Sequence, residues 1–347
     1  MRRALALLAF FTLPAHAFAQ SAETITVERI LIDARVTDPT GEPVLNLTPD
    51  EFRVRIDGKV AKVEAVDWIA ETSVGRELAD AERPPVEETA TTGDTITEPQ
   101  PQGRLLVFLF QTDFARNKSR VGGQMHVLGY IDDMLETLEP EDRVAVLSYD
   151  SHLKFRLDFT SEKAKIREAM RGALLIDDPP PPQMVPMPRL GGRLNPAEMK
   201  KVSNPEAALI VVANALRPIP GPKSLILFGW GLGYLVHGVV MMGPDYNAAR
   251  RALESARVAC FSLDFSEADG HDLAAGLVTA AADTGGFYAS TFRFPQMAMD
   301  RLKKTLAGHY ELEVRKPETK VVGVHTIEVS VTVKNALVMA RTSYVDQ

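Results

Sequence analysis

Five short apolar runs, separated by stretches with helical spacing, decide what this chain can become. They are residues 105–110 (LLVFLF), 144–149 (VAVLSY), 224–228 (SLILF), 258–263 (VACFSL) and 287–290 (FYAS). Runs this short and this apolar are strands covered on both faces. Between them the period changes. Val127, Ile131, Met134 and Leu138 share one helical face, as do Leu209, Val212, Ala213 and Leu216. Residues 162–174, 246–256, 271–283 and 297–306 also read as helices. Thr160 and Ser161 can cap the first of these, Asn204-Pro205 opens the helix containing Leu209, and Gly285-Gly286 stops the third. Residues 153–159 follow the second run after a short turn, which predicts an antiparallel edge hairpin. The alternation predicts an α/β fold, a doubly wound and mostly parallel sheet with right-handed crossovers. In such sheets ligands bind outside the carboxyl ends of the strands. The first run ends in "QTDFAR", residues 111–116, so that segment marks the expected binding edge.

Both ends of the chain read differently. Residues 25–36 are β-branched in near alternation, "DPTGEP" is a turn, and Thr48-Pro49-Asp50-Glu51 carries a capping box. Phe52, Val54 and Ile56 alternate, and Asp57-Gly58 is a hairpin turn. At the other end Tyr310, Leu312 and Val314 alternate, then Ile327, Val329, Val331 and Val333, then residues 337–344. These segments predict an additional small β-rich module formed by the N- and C-terminal segments. The expected organisation is a signal peptide (1–19), the N-terminal β-rich module (20–69), an acidic Pro-Thr linker (70–103), the α/β domain (104–308) and the C-terminal strands (309–347). Within the α/β domain, residues 176–204 form a Pro-rich insertion that favours a polyproline-like loop.

The first residues are a secretory signal. Arg2-Arg3 is a positive start, residues 4–13 are apolar, and Ala17-Phe18-Ala19 is a small-x-small cleavage site. Cleavage takes the net charge from −7 to −9. The protein is thus expected to be exported, to the periplasm or beyond the cell, and not to span a membrane. An acidic chain without a basic cluster is a poor nucleic-acid binder. The single cysteine, Cys260, sits inside an apolar run and reads as a buried core residue.

Enzyme signatures are absent from the sequence. There is no GxxxxGK[ST], HExxH, CxxC pair or GxSxG, and "GWGLG" lacks the spacing of a dinucleotide fingerprint. His126, His152, His237, His271, His309 and His325 are scattered without metal spacing. "DGHD", at 269–272, reads as a polar helix start.

From residue 104 to about 306 the chain resembles a von Willebrand factor type A domain. The order of "DARVTDPTGEPVLNLTPDEFRVRIDGK", "LEPEDRVAVLSYDSHLKFRLDFTSEKAKI", "GPKSLILFGWGLG", "ADTGGFYAS" and "GHYELEVRKP" is similar to the acidobacterial VWFA-related domain family. The resemblance implies an open sheet wrapped by helices. It also implies a metal-ion-dependent adhesion site, with Asp-x-Ser-x-Ser after the first strand, a Thr in a later loop and an Asp after the fourth strand. Here that site is degenerate. Gln111 stands at the first Asp, Asp113 at the first Ser, Ala115 at the second, and Gly229 or Trp230 at the distant Asp. Ser203 is the nearest substitute for the Thr. A hard cation needs carboxylate, hydroxyl and water oxygens, and this set leaves Asp113 as the one candidate ligand.

The expectation is therefore an exported binding module without a cofactor, not an enzyme, with Asp113 the only opening for magnesium or calcium. Its ligand would be a protein or peptide, held at Gln111, Thr112, Asp113, Phe114, Trp230 and Asp264, on the edge made by 111–116, 229–235 and 264–270. Asp113, Asp150 and Asp264 also suggest an acidic rim, although Asp at strand ends commonly caps turns. Trp230 is either an exposed anchor or a ring tucked over the sheet edge. Two alternatives stand beside this reading, a structural component of an envelope assembly and an exported hydrolase using Asp113 and Asp264 as acid and base.

Overall fold

The computed structural model describes residues 28–81, 103–112, 128–175, 177–180, 188–266, 271–317 and 322–346. The segment expected to be a signal peptide, 1–19, lies outside them. Two sheets organise the described residues, and a small two-stranded ribbon adds to them.

The first sheet contains β4 (Leu105–Gln111), β5 (Arg143–Tyr149), β6 (Leu153–Thr160), β7 (Lys223–Gly229), β10 (Val258–Asp264) and β11 (Tyr288–Ser290). Its spatial order is β11-β10-β7-β4-β5-β6. Every neighbouring pair is parallel except β5 with β6. Alternate residues of β4 serve two apolar layers. Leu105, Val107 and Leu109 face α5 (Pro205–Leu216), α6 (Tyr246–Ser255) and α7 (Ala274–Thr284). Leu106, Phe108 and Phe110 face α2 (residues 128–136), α3 (Lys163–Leu175) and α8 (Pro295–Thr305). This two-sided burial is why the sequence shows continuous apolar runs there. Asn204 caps α5 by accepting from Ala207 N at 2.7 Å, and Gly285 ends α7 with φ +83°.

The second sheet is antiparallel and draws on both chain ends. It contains β1 (Arg29–Thr37), β2 (Phe52–Ile56), β3 (Lys59–Ala70), β12 (Gly308–Arg315), β13 (Val324–Val331), β14 (Leu337–Ala340) and β15 (Ser343–Val345), in the order β14-β1-β12-β3-β2-β13-β15. The two edge strands, β14 and β15, are separated in the chain only by Arg341 and Thr342. The sheet therefore rolls until its edges meet at this corner, where Ile327 N donates to Thr342 O at 2.7 Å. Ile32, Phe52, Val54, Ile56, Tyr310, Leu312 and Val314 fill the interior. Tyr310 packs edge-on against Phe52 and Trp68, and its hydroxyl donates to Val44 O at 2.8 Å.

Two segments differ from the sequence expectation. The linker expected over 70–103 begins with ordered structure, α1 (Ser73–Ala81). Thr72 Oγ1 accepts from Gly75 N, Trp68 Nε1 donates to Gly75 O, and a Cβ on Gly75 would lie 2.2 Å from Ala307 O. Long-range packing thus orders a stretch that has few large apolar side chains of its own. The Pro-rich insertion likewise contains α4 (Pro196–Lys201), capped by Asn195, with Leu190, Leu194, Met199 and Val202 buried in the first apolar layer. Residues 181–187, within its proline-rich part, lie outside the described residues.

The rolled sheet joins the α/β sheet at the amino ends of β7 and β10, away from the carboxyl edge. Arg257, immediately before β10, donates to Asp33 of β1 and Glu311 of β12. Arg35 of β1 pairs with Glu71 at 3.3 Å and reaches Ser224 Oγ of β7 at 3.5 Å.

The last strand is held by a histidine between two acids. Fully buried His325 contacts Asp57 Oδ2 at 2.7 Å through Nδ1 and Asp346 Oδ2 at 2.8 Å through Nε2, and it stacks on Tyr344. The bond to Asp57, opposed by burial and reinforced by Asp346, raises its pKa above the ordinary 6.5. The folded state therefore binds this proton more tightly than the unfolded state does. Its contribution is complete below the ordinary pKa and is lost as pH rises through the folded value. Urea midpoints should accordingly fall for the wild type as pH rises from the ordinary value of 6.5 through the folded value. His325→Gln should start lower and lose that slope, and an identical slope in the variant would refute the assignment.

Candidate functional site

The expected binding edge is the row of carboxyl ends of β4, β5, β7 and β10. Its described polar groups are committed to one another. Gln111 ends β4 and is 1% exposed. Its Oε1 accepts from Trp230 N at 3.0 Å and Gly231 N at 3.3 Å, and its Nε2 donates to Gly231 O at 2.7 Å. One amide thereby fastens the turn after β7 to the end of β4. This bridge explains the glycine at 229, because a Cβ there would lie 2.8 Å from Gln111 Oε1.

Thr112 is also buried. Its N–H and hydroxyl both donate to Tyr149 O, extending the β4–β5 ladder by one residue. Gln111 and Thr112 are both buried, so neither side chain is exposed at this edge. Asp113 and Phe114, with Ala115, lie outside the described residues. Trp230 is half-buried and packs against the layer containing Phe110 and Phe228, so its ring is tucked over the sheet edge.

Asp264 ends β10 and is 1% exposed. Its Oδ1 accepts from Ser266 N at 2.9 Å. Its Oδ2 accepts from Tyr288 OH at 2.9 Å and meets His271 Nε2 at 2.8 Å. Burial, then the Asp264 charge, holds the Tyr288 phenol above its ordinary pKa. Ser266 Oγ also contacts His271 Nε2, at 3.1 Å. A Ser-His-Asp relay needs the serine and the acid on opposite ring nitrogens. Here both meet the same nitrogen, so this trio is not arranged as a relay.

Asp150 follows β5 and is similarly committed, to Ser151 N at 2.5 Å and Lys154 Nζ at 2.6 Å. Burial would raise its pKa, but the Lys154 and Ser151 hydrogen bonds outweigh burial and lower it. Asp150 and Asp264 thus act as turn caps, and the acidic rim loses both of its described members.

Among the described residues, one group of three could hold a metal by ligand type and spacing, Asp33, His309 and Glu311. It lies at the junction of the two sheets. The Arg257 guanidinium is already seated there, with Nη2 at 2.5 Å from Asp33 and 2.6 Å from Glu311. A fixed cation occupies the position a metal would need.

What the edge does expose is apolar. After Trp230 the chain forms a ribbon, β8 (Tyr234–Val236) with β9 (Val239–Met241). The two residues between them, His237 and Gly238, both have positive φ, as a two-residue hairpin turn of right-handed twist requires. Gly233 N donates to buried Glu206 at 2.8 Å, which ties the ribbon's base to the first turn of α5. Tyr234, Leu235, Val236, Val239 and Met241 are nevertheless all exposed, Val239 to 62%. Beyond β11, at the same edge, Phe292, Phe294 and Met297 are exposed as well. The sequence reading missed this ribbon. The signal was present in "YLVHGVVM", two apolar triplets around a glycine-containing pair, but His-Gly is a weaker turn cue than Asn-Gly.

No family model matches the chain, and no curated protein matches it. Solved structures similar to it include the human COPII-coat protein Sec24c, at 11% identity and TM-score 0.39, covering 70% of this chain and 43% of that one. An aerotolerance-related membrane protein from Bacteroides fragilis is similar at 12% identity and TM-score 0.38, covering 58% of this chain and 98% of that one. The vWF domain of the type V pili tip protein Mfa5 from Porphyromonas gingivalis is similar at 12% identity and TM-score 0.33, covering 58% of this chain and 95% of that one.

Proposed function

We propose that this chain is an exported protein-binding module of the von Willebrand factor A class, acting without a metal ion. The strand order β6-β5-β4-β7-β10-β11, with only β6 antiparallel, supports reading the sheet as doubly wound, with a switch point beside β4. The signal segment supports export.

The observation that carries the binding reading is the exposed apolar ribbon β8–β9, placed where such a sheet binds ligands. Tyr234, Val236, Val239 and Met241 share one face of the ribbon, and four neighbouring exposed apolar residues form a patch of the kind that marks an interaction site. The ribbon's outer edges have no further strand among the described residues. The ligand that fits is an extended apolar peptide segment, adding as a strand with side chains against Tyr234, Val239 and Met241. A hydrolase built on Asp264 lacks comparable support, because hydrogen bonds from Ser266, Tyr288 and His271 already engage that carboxylate.

Site-specific photo-crosslinking tests this reading. A photoreactive residue at Val239 should give one dominant protein adduct in native envelope extract. The same residue at Val60, which is 74% exposed on β3, should not give that adduct. Adding Tyr234→Ser and Met241→Ser should abolish the Val239 adduct. Equal labelling from both positions would sink the proposal.

A further inference from the structure

A groove opens where the interior of the rolled sheet meets α1, and it encloses about 520 Å³. Leu45, Leu47 and Val66 line it, as do Trp68 of β3 and Tyr310 of β12. From α1 come Arg76, Ala79 and Asp80. A space of this size takes a whole small molecule rather than one side chain, and the mouths of closed sheets are common ligand sites.

Its walls are fixed in advance. The Tyr310 hydroxyl donates to Val44 O at 2.8 Å and accepts from Leu47 N at 3.2 Å, which pins the loop between them. Asn46 carries that loop through φ +57°, a left-handed conformation that asparagine tolerates. Trp68 is held from three directions. It packs edge-on against Tyr310 with centroids 5.1 Å apart, and its Nε1 donates to Gly75 O at 3.4 Å. Gly308 lies so close that a Cβ there would sit 2.4 Å from the indole. The ring is nevertheless only partly buried, and it lines the groove.

Charge chooses the ligand. Arg76 is the one cation among the described residues lining the groove, and its guanidinium pairs with Glu139 at 3.3 Å. Asp67 and Asp80 line the groove as well and are exposed, so negative charge is in excess there. An indole face attracts cations more strongly than any other aromatic side chain, and nearby carboxylates add to that attraction. We infer that this groove binds a small organic ammonium ion, its charged end at Trp68 and Asp80 and its hydrocarbon body against Leu45, Leu47 and Val66. An anion of the same shape would be repelled by Asp67 and Asp80, and a neutral molecule would gain nothing from them.

Isothermal titration of the full chain with four probes tests this. Phenyltrimethylammonium carries both the charge and the body, tetramethylammonium the charge alone, 2-phenylethanol the body alone, and phenylacetate the body with the opposite charge. The first should bind, and the other three should bind about tenfold more weakly or not at all. Asp80→Asn, at an exposed position, should weaken phenyltrimethylammonium about fivefold. Trp68→Leu keeps the site apolar without an aromatic face and should weaken it by about as much. Thermal melts establish which variants fold, and Asp80→Asn decides the matter by itself if Trp68→Leu does not. No binding of phenyltrimethylammonium would overturn the inference, as would equal binding of any other probe. Undiminished binding by folded Asp80→Asn or folded Trp68→Leu would also overturn it.

Discussion

Arg257→Met is expected to cost about 3 kcal/mol of folding stability at neutral pH, the lower end for breaking a buried ion pair. The guanidinium serves two sheets at once, with Asp33 on β1 and Glu311 on β12, while its own residue leads into β10. About a quarter of the Arg257 side chain is exposed, so water softens the loss and the upper end is not reached. Removing it leaves two neighbouring carboxylates without their shared cation. Burial tends to raise the Asp33 pKa, and the Arg257 hydrogen bond and charge overcome that and lower it. The folded state therefore holds this proton less tightly than the unfolded state. The contribution is present above the ordinary value of 3.8 and disappears as pH falls through the folded value. Urea unfolding should show the gap between wild type and Arg257→Met narrowing on acidification. A gap that stays constant to low pH would mean the loss is one of packing rather than of charge.

Gln111→Ala is expected to cost about 2–3 kcal/mol, since a buried polar group left unsatisfied costs about 1–3. Three backbone groups lose their partner, the N–H groups of Trp230 and Gly231 and the carbonyl of Gly231. Water entering beside half-buried Trp230 recovers part of this, which keeps the total below the sum. Gln111→Glu isolates the donor. It retains an acceptor for both N–H groups but sets a carboxylate oxygen against the Gly231 carbonyl. Both variants should speed amide exchange at Trp230 and Gly231 while exchange in β5 and β6 stays slow. Protected amides at 230 and 231 in Gln111→Ala would show that the turn holds itself without the bridge.

The same glutamine shows where the sequence stops being informative. The strands of the α/β sheet were legible because burial on two faces leaves an unbroken apolar run. The caps at Asn204 and Gly285 were legible because they act locally. Gln111 invites reading as a lost ligand, since a neutral amide supplies no charge to a cation. Its actual partners lie 119 and 120 residues away, and no local pattern announces them. For the same reason α1 was hidden in an acidic stretch and α4 in a proline-rich one. Their order comes from Ala307 and from the apolar layer over β4, far along the chain. The ribbon β8–β9 was a different failure, a local signal with an unusual turn residue.

The described polar groups of the carboxyl edge are engaged internally and its exposed groups are apolar, and the function proposed for that edge is to hold a partner without a cation. Isothermal titration of the full mature chain with magnesium, manganese and calcium tests it most directly. The expected result is no heat beyond dilution for any of the three. Micromolar binding that Asp113→Ala abolishes would contradict it.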